Sequence, residues 1–364
     1  MSKTLVYVLL SPTFGMHQYT ADLARQAAAA GYAVHVVTTA SLPRDRYDAP
    51  TALHTPVAHR TTGFGGEGVR AAGLGALWRQ IVNLRPAVVH FTGVHLWNPI
   101  LLAALRARGI ATAHTLHDLD PHPDVRVGAL IRLWNRLVCG VAGRLVVHAE
   151  RYRRRLAATR DAAHLHCWPL LHTFLGAAAE ATLAAAPPPR TWEPWLLFFG
   201  RIEAYKGVDV LLAAAATLHR DAGPAAAAQP TVVLAGRGAS RALPPGVLHL
   251  NAHIDDALGW DLFRRCRAVV LPYTGATQSA LPAAAYAFGK PVIVSDSGAL
   301  AESVLPGHTG WVLPAGDRAA LAGALAEARS ASDATLAALG DAGRAWRAAA
   351  RLQERTQLQV LYGD

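Results

Sequence analysis

Short apolar runs alternate with helical patterns through the first half of the chain. The runs are predicted strands, and they comprise Thr4–Leu10, Ala33–Thr38, Ala87–Phe91, Ala111–Leu116 and Leu145–His148. Between the first two runs, Tyr19–Ala30 carries apolar residues at the spacing of a helix. Strand, helix and strand in this order predict a parallel sheet with helices on both faces.

The same alternation begins again after a break near Ala185. Pro187, Pro188 and Pro189 cannot continue a helix, and we expect them to form a stiff connector. Further strands are predicted at Leu196–Phe199, Thr231–Ala235, Val247–Leu250, Ala268–Pro272 and Pro291–Ser295.

The sequence therefore predicts an α/β protein with two doubly wound, Rossmann-like domains that face each other across a cleft. Their expected bounds are residues 1–186 and 187–345. The tail from Asp333 to Leu361 has a helical pattern, and we expect residues 346–364 to pack back on the N-terminal domain. A cleft between two such domains suits a reaction with two substrates.

Composition narrows the classes of partner. Hydrophobic residues make up 52% and charged residues 16% of the 364 residues, which excludes a disordered chain. The net charge of +10 suits anionic partners such as nucleotide phosphates or an anionic membrane, whereas no motif for nucleic acid accompanies it. Cys139, Cys167 and Cys266 lie far apart and indicate reduced thiols in a cytoplasmic protein. No apolar run is long enough for a membrane span.

The strongest motif runs from Phe198 to Gly207. A buried strand is expected to end at Gly200, Arg201 and Lys206 follow it, and a helix is expected to begin near Val208. Two cations beside a helix N-terminus favour a diphosphate, and they also stabilise the charge that develops as a nucleotide diphosphate leaves. A solvated basic loop is the alternative interpretation.

These residues resemble the GR-x-x-x-x-KG signature of the family 4 retaining glycosyltransferases, which have the GT-B fold. Other segments are similar to family motifs in the same order along the chain. They are Leu9–Thr38 (first strand, glycine loop and helix), Gly236–Gly238 (second glycine turn), Ala287–Val294 (A-x-GKPVI), Gly298–Glu302 (GG-x-P-E) and His308–Asp317 (the closing G-x-T-G-x-L-V-x-P-G-D).

The resemblance implies a set of residues that bind the nucleotide-sugar donor. This predicted donor set comprises Gly15, Arg201, Lys206, Gly236, Gly238, Ile254, Thr277, Gln278, Ser279 and Glu302.

The chain departs from the family pattern at two positions that are usually glutamate. The family carries two glutamates before the GKP segment, one for the donor sugar and one for the ribose, and this sequence has Ala276 and Ala284 there. Thr277, Gln278 and Ser279 resemble a variant A-T-Q-S loop whose side chains still donate hydrogen bonds to a diphosphate or sugar. A polar loop without a ligand role stays the alternative.

Histidines are concentrated at two strand ends of the N-terminal half. The family places a histidine near the reacting face of the donor sugar, and His117 matches that position best. We predict His117, with Arg201 and Lys206, as the catalytic set, and His17 and His95 as acceptor-side residues. His114 lies inside a strand and is expected to be packed. His117 as a structural histidine, and His17 as a solvated one, are the alternatives.

Two other clusters contain residue types that bind metals or anions. His117, Asp118, Asp120 and His122 form a set of metal-ligand types, but the prolines around them oppose convergence, so we expect no metal. The basic segment from Arg144 to Arg160 either rests on anionic lipid near a lipid-linked acceptor or forms a solvated helix face.

The resemblance implies a retaining, metal-independent glycosyltransferase that needs no cofactor. Its expected partners are a UDP or GDP sugar and a carbohydrate or lipid-linked acceptor of polysaccharide or glycolipid synthesis. A catalytically silent scaffold for another transferase is the alternative, because both glutamates are absent. A nucleotide-sugar epimerase or a phosphorylase shares the two-domain plan but differs around the GKP segment.

Overall fold

The chain folds into two compact units in a computed structural model. The structure describes residues 2–58, 63, 71–117, 119, 128–185, 192–221, 231–275 and 278–363. Unit 1 comprises Met1–His172 and Arg351–Asp364, and unit 2 comprises Thr173–Ala350. The predicted proline connector lies outside the described residues.

Unit 1 is built on a seven-stranded parallel sheet. Its strands are β1 (Thr4–Leu9), β2 (Ala33–Thr39), β3 (Ala52–Val57), β4 (Val88–Phe91), β5 (Ala111–Thr115), β6 (Arg144–Val147) and β7 (Leu165–Cys167), and its helices are α1 (Phe14–Ala29), α2 (Ala71–Asn83), α3 (Asn98–Ala107), α4 (Gly128–Val141) and α5 (Glu150–Ala157). The strand order is β3-β2-β1-β4-β5-β6-β7. Leu5 to Leu9 are at most 1% exposed, as expected for a strand covered on both faces.

Unit 2 repeats this plan with six parallel strands in the order β10-β9-β8-β11-β12-β13. Its elements are α6 (Ala177–Ala185), β8 (Leu196–Phe199), α7 (Val208–Asp221), β9 (Val232–Ala235), β10 (Val247–Leu250), α8 (Asp256–Arg265), β11 (Val269–Leu271), α9 (Leu281–Ala287), β12 (Val292–Ser295), β13 (Gly310–Leu313) and α10 (Arg318–Ser330). A last helix, α11 (Asp333–Tyr362), begins in unit 2 and ends in unit 1.

The α/β fold class is confirmed, and each predicted strand is present with both ends within one residue of its expected position. Three further strands, β3, β7 and β13, were not predicted. All three lie at sheet edges; β7 has only three residues, and β3 and β13 are mostly half-buried, so their apolar signal is weak.

Both sheets contain a point at which the strand order reverses. In unit 1 this point lies between β1 and β4, and in unit 2 between β8 and β11. Ligands of open parallel sheets bind in the crevice beyond the carboxyl ends of the strands at such a point. The loops after these four strands are therefore the expected location of a ligand-binding site.

The boundaries of the units differ from the expected domain bounds. The first lies at His172/Thr173 rather than 186/187, because Phe174 packs on Phe199, Phe263 and Phe288 of unit 2, with ring centres 4.8 to 6.2 Å apart. The second lies at Ala350/Arg351 rather than 345/346, inside the continuous helix α11.

The end of α11 belongs to the core of unit 1. Tyr362 is 1% exposed, and its hydroxyl lies 3.0 Å from that of Tyr7 and 2.7 Å from His90 Nδ1. Of the helices within the described residues, none is both long and apolar enough to cross a bilayer.

Candidate active site

The loop after β8 brings Lys206 back over the end of that strand. A short 3-10 turn, Ala204–Lys206, lies between β8 and α7. The Lys206 ammonium is 5.9 Å from the ring centre of Tyr205 and 5.5 Å from that of Tyr273. A Cβ atom on Gly200 would lie 2.9 Å from Lys206 Nζ. The ammonium group thus lies at the carboxyl edge of the sheet, between two tyrosine rings and the backbone of a glycine.

Gly207 joins this loop to the one after β11. Its φ of 66° is left-handed, and a Cβ atom there would meet the Pro272 carbonyl oxygen at 1.8 Å. Thr274 N–H donates to the Tyr205 carbonyl at 2.8 Å and closes the contact from the other side. The two loops that flank the switch point are therefore in direct backbone contact, and α7 begins at the next residue.

Arg201 is the second predicted cation, and it lies at the start of the same loop. Its side chain is 71% exposed, and its Nη1 is 2.8 Å from Oε1 of Glu203, which is 30% exposed. A pair this exposed contributes about 0–1 kcal/mol, so an anionic ligand competes with Glu203 at small cost. Burial, followed by the Glu203 carboxylate, raises the pKa of Tyr205 above its ordinary value.

Gly236 and Gly238 pack their backbone against the β8 loop. A Cβ atom on Gly236 would lie 2.1 Å from the Gly200 carbonyl oxygen, and one on Gly238 would lie 2.2 Å from Ile202 Cβ. Asn251 fixes the second turn, because its Oδ1 accepts from Gly238 N–H at 3.0 Å and its Nδ2 donates to Gly238 O at 3.1 Å. The glycines are thus required by the packing of the two loops, and their donor role stays a prediction.

The polar loop after β11 is only partly described, since Thr277 lies outside the described residues. Ser279 Oγ accepts a hydrogen bond from Leu281 N–H at 3.2 Å at the start of α9. Its hydroxyl hydrogen stays available as a donor. Gln278 and Ser279 are both half-buried.

Glu302 and Ile254 complete the predicted donor set. Glu302 is exposed, and it lies in a 3-10 turn, Leu300–Ser303, that follows β12. Ile254 is partly buried and packs against the core of unit 2. The structure therefore brings Arg201, Lys206, Gly236 and Gly238 to neighbouring loops, and gives Ile254 a packing role.

In unit 1, Gly15 and His17 lie in the first turn of α1, which therefore begins earlier than predicted; space is open at Gly15, and His17 is buried. A Cβ atom on Gly15 would meet nothing within 4 Å. His17 is 1% exposed, its Nδ1 lies 2.9 Å from the Tyr47 hydroxyl, and burial lowers its pKa to about 4. The alternative of a solvated His17 is therefore wrong, and its acceptor-side role stays a prediction.

His95 and His114 are both fully buried. His95 Nδ1 accepts from Trp97 N–H at 3.2 Å, and the His95 carbonyl accepts from Trp134 Nε1 at 3.0 Å. His114 lies in β5, where Asn98 Nδ2 donates to its Nε2 at 3.0 Å and burial lowers its pKa to about 3. His114 is packed, as predicted.

His117 lies two residues after β5. Its Nε2–H donates to the Thr92 carbonyl at 3.0 Å, which fixes the orientation of the ring. The ring is 8% exposed and meets Tyr19 edge to face, with centres 5.0 Å apart. The other residues of the possible metal-ligand set lie outside the described residues; they are Asp118, Asp120 and His122.

The sequence did not predict the aromatic neighbours of these groups. His148 follows β6, and its ring centre is 5.1 Å from that of His117 and 5.0 Å from that of Tyr19. Its Nδ1–H donates to the Trp168 carbonyl at 3.0 Å, and burial with His117 nearby holds its pKa well below the ordinary value. The sequence feature that could have identified His148, and Tyr273 in unit 2, is their position at or just after the end of a predicted strand.

Comparisons with known proteins agree with this geometry. The family model described as Glycosyltransferase Family 4 matches residues 15–170, and the model described as Glycosyl transferases group 1 matches residues 193–330. The D-inositol 3-phosphate glycosyltransferase of Streptomyces scabiei is 28% identical over 86% of this chain and 78% of its own length. The GDP-mannose:glycolipid 4-beta-D-mannosyltransferase of Xanthomonas campestris is 28% identical over 79% of each chain.

Solved structures show the same fold. The crystal structure of HepE from Anabaena in complex with UDP and glucose superposes with a TM-score of 0.68 at 15% identity, over 99% of both chains. The two family models together cover every strand of both sheets except β1. The chain is therefore a glycosyltransferase of the GT-B fold and belongs to the group 1, family 4 glycosyltransferases.

Proposed function

We propose that this glycosyltransferase transfers a sugar from a UDP or GDP sugar to an acceptor hydroxyl, with retention of the anomeric configuration and without a metal ion. Lys206 and Arg201 hold the diphosphate of the donor, and His117 contacts the reacting sugar. The acceptor is a carbohydrate or a lipid-linked sugar of polysaccharide or glycolipid synthesis.

The position of Lys206 carries this proposal. Its ammonium group lies at the carboxyl edge of unit 2, at the switch point between β8 and β11, over backbone that presents no side chain. The tyrosine faces beside it attract the cation without neutralising it. An ammonium group in this position is matched to a phosphate that approaches over Gly200.

The proposed chemistry needs charge stabilisation rather than a protein nucleophile. The acceptor oxygen bonds to the anomeric carbon on the face from which the diphosphate departs, and the carbon–oxygen bond to the diphosphate breaks. The acceptor proton passes to an oxygen of the leaving diphosphate. Lys206 and Arg201 stabilise the negative charge that develops on this group, which supplies the electrostatic help that a metal gives elsewhere.

The names of similar proteins include both GDP and UDP, so they do not choose between the two nucleotides. One relative is named for GDP-mannose and a glycolipid acceptor, and one solved neighbour contains UDP and glucose. A second relative is named a D-inositol 3-phosphate glycosyltransferase. We therefore propose a nucleoside diphosphate donor and leave both bases in the test.

The absent glutamates require other contacts to the ribose and sugar. Ala284, which occupies one glutamate position, is 1% exposed in α9. We propose that Gln278, Ser279 and Glu302, which follow β11 and β12, make polar contacts to the donor instead.

Calorimetric titration with UDP and GDP tests the proposal. We expect one of them to bind the intact chain, and Lys206→Ala to weaken that binding about tenfold or more, because a charge-assisted phosphate contact contributes about 1.5–3 kcal/mol. Arg201→Ala should have a smaller effect, since the group is exposed. Arg344→Ala removes an arginine of α11 that pairs with Asp341 at 2.8 Å, and serves as the control.

If neither UDP nor GDP gave a heat of binding, the donor assignment would be contradicted. Equal affinities of the wild type and Lys206→Ala would contradict the role of Lys206. Turnover that EDTA abolishes and Mg²⁺ restores would overturn the metal-independent mechanism.

A further inference from the structure

Helix α4 presents a row of leucines to the surface. Leu130, Leu133 and Leu137 are 42%, 54% and 52% exposed. Their spacing of three and four residues places them within about 60° of arc on one face of the helix. We call these three residues the leucine ridge. A contiguous exposed apolar face of this kind marks an interaction surface.

The other face of α4 is firmly attached to unit 1. Trp134, Asn135 and Val138 are buried, and Trp134 Nε1–H donates to the His95 carbonyl at 3.0 Å. At the end of the helix, Arg106 Nη1 donates to the Val141 carbonyl at 3.1 Å. Because these contacts fix the rotation of the helix, the leucine ridge is an outward face of the folded unit.

Exposed arginines lie beside the leucine ridge. Arg132 and Arg136 are exposed on α4, about 100° or less around the helix from Leu133. The sequence from 128 to 141 contains no aspartate or glutamate. Leucines flanked by guanidinium groups are typical of a helix that lies in the surface of an anionic bilayer.

The basic helix α5 extends this charged border. Arg151, Arg154 and Arg155 are exposed. Arg155 and Arg160 both act electrostatically on Cys139 of α4, and Arg160 Nη2 donates to the Ala142 carbonyl at 2.9 Å. The arginine segment considered for lipid contact from the sequence therefore lies next to the exposed face of α4.

We propose that the leucine ridge and its arginine border dock unit 1 on an anionic lipid bilayer. The leucines enter the boundary between headgroups and acyl chains, and the arginines pair with lipid phosphates. A second copy of the chain is a poorer occupant, since pairing two ridges would bring like guanidinium groups together. The inference is independent of the donor chemistry.

Sedimentation with vesicles tests the proposal on the full chain. We expect binding to vesicles of phosphatidylglycerol and phosphatidylcholine in equal parts, and weaker binding to phosphatidylcholine alone or at high salt. The double variant Leu133→Ser/Leu137→Ser should bind the anionic vesicles about tenfold more weakly or worse. Arg132→Gln/Arg136→Gln should lose the preference for anionic lipid.

Leu352→Ser/Val360→Ser is the matched control, because these residues of α11 are 66% and 58% exposed. It should bind vesicles like the wild type. Cooperative thermal unfolding, measured on the same preparations, should be retained in the ridge variant, which shows that the variant is folded.

Three results would overturn the proposal. They are a wild type that does not bind anionic vesicles, a ridge variant that binds them as well as the wild type, and a lipid-free wild-type dimer that the ridge variant converts to monomer. The last result would identify a second copy as the occupant.

Discussion

At the scale of single residues, the position of Lys206 depends on backbone that glycine allows. Gly207 turns the chain with a left-handed φ against the Pro272 carbonyl, and Gly200 leaves the space that the ammonium group occupies. The charge comes from one residue and its placement from two others. Loss of either glycine therefore acts on the site even though neither carries a functional group.

Gly207→Ala should destabilise unit 2. A Cβ atom would lie 1.8 Å from a backbone oxygen and the φ is left-handed, so we expect a loss of about 2 kcal/mol or more in the free energy of unfolding. Gly323→Ala is the control, because a Cβ atom in that part of α10 meets nothing within 4 Å, and it should stabilise by about 0.5–1 kcal/mol. Urea titration compares them, and equal effects would contradict the packing of Gly207.

His117 is the residue of unit 1 that we expect to contact the reacting sugar. Its Nε2–H donates to the Thr92 carbonyl and holds the ring beyond the end of β5, where we expect the ring to contact a hydroxyl of the sugar. We expect His117→Ala to lower kcat about 100-fold if this contact strengthens in the transition state. His164→Ala, an exposed histidine of unit 1, is the control. A kcat unchanged in His117→Ala would leave His117 as a structural histidine.

Sequence motifs point to the charged candidate residues more readily than to their neutral neighbours. Arg201 and Lys206 were identifiable because two cations follow a strand end before a helix. Tyr273 and His148 have no such spacing; the fold of each unit places Tyr273 beside Lys206 in unit 2 and His148 beside His117 in unit 1. The burial of His17 likewise depends on Tyr47, a partner 30 residues away.

At the scale of elements, all central strands were predicted, whereas of the four edge strands only β10 was. The central strands are apolar on both faces, whereas β3 contains His54 and Pro56 and is only partly covered. β7 is three residues long. Pairing with a neighbour, which the sequence does not report, is what makes these segments strands.

The C-terminal part of α11 is joined to α1 by a buried ion cluster in unit 1. Arg351 Nη1 lies 2.6 Å from a carboxylate oxygen of Asp22 and 2.6 Å from one of Glu354. Gln26 Nε2 donates to Glu354 at 3.0 Å. Burial opposes the charge on both acids, yet Arg351 lowers the pKa of Asp22, while burial, with Asp22 nearby, raises the pKa of Glu354.

Glu354 should therefore make unfolding depend on pH. Its raised pKa contributes stability that is complete below its ordinary value of 4.5 and is lost as the pH rises through the folded value. Glu354→Gln stays neutral, so we expect its stability relative to the wild type to increase by on the order of 1–2 kcal/mol between about pH 5 and pH 8.

Thermal unfolding across this range measures the difference, and the contributions of the buried histidines cancel between the two proteins. Glu327→Gln, at an exposed position of α10, should show no such trend. A constant difference between Glu354→Gln and the wild type would contradict a raised pKa.

At the scale of the whole molecule, the two units repeat one plan and differ in what they offer a ligand. The switch point of unit 2 carries Arg201 and Lys206. In unit 1, buried histidines follow β5 and β6, and Tyr19 of α1 packs against two of them. This division is consistent with a charged donor held by unit 2 and uncharged hydroxyls contacted by unit 1. The exact unit boundaries were not predictable, because Phe174 joins unit 2 through three distant aromatic rings.

The most direct test of the central claim is a crystal structure of the chain with UDP or GDP bound. We predict that an oxygen of the diphosphate lies about 3 Å from Lys206 Nζ, above Gly200 and near the start of α7. A diphosphate bound away from the loop after β8, for example on the arginines of α5, would contradict the proposed donor site.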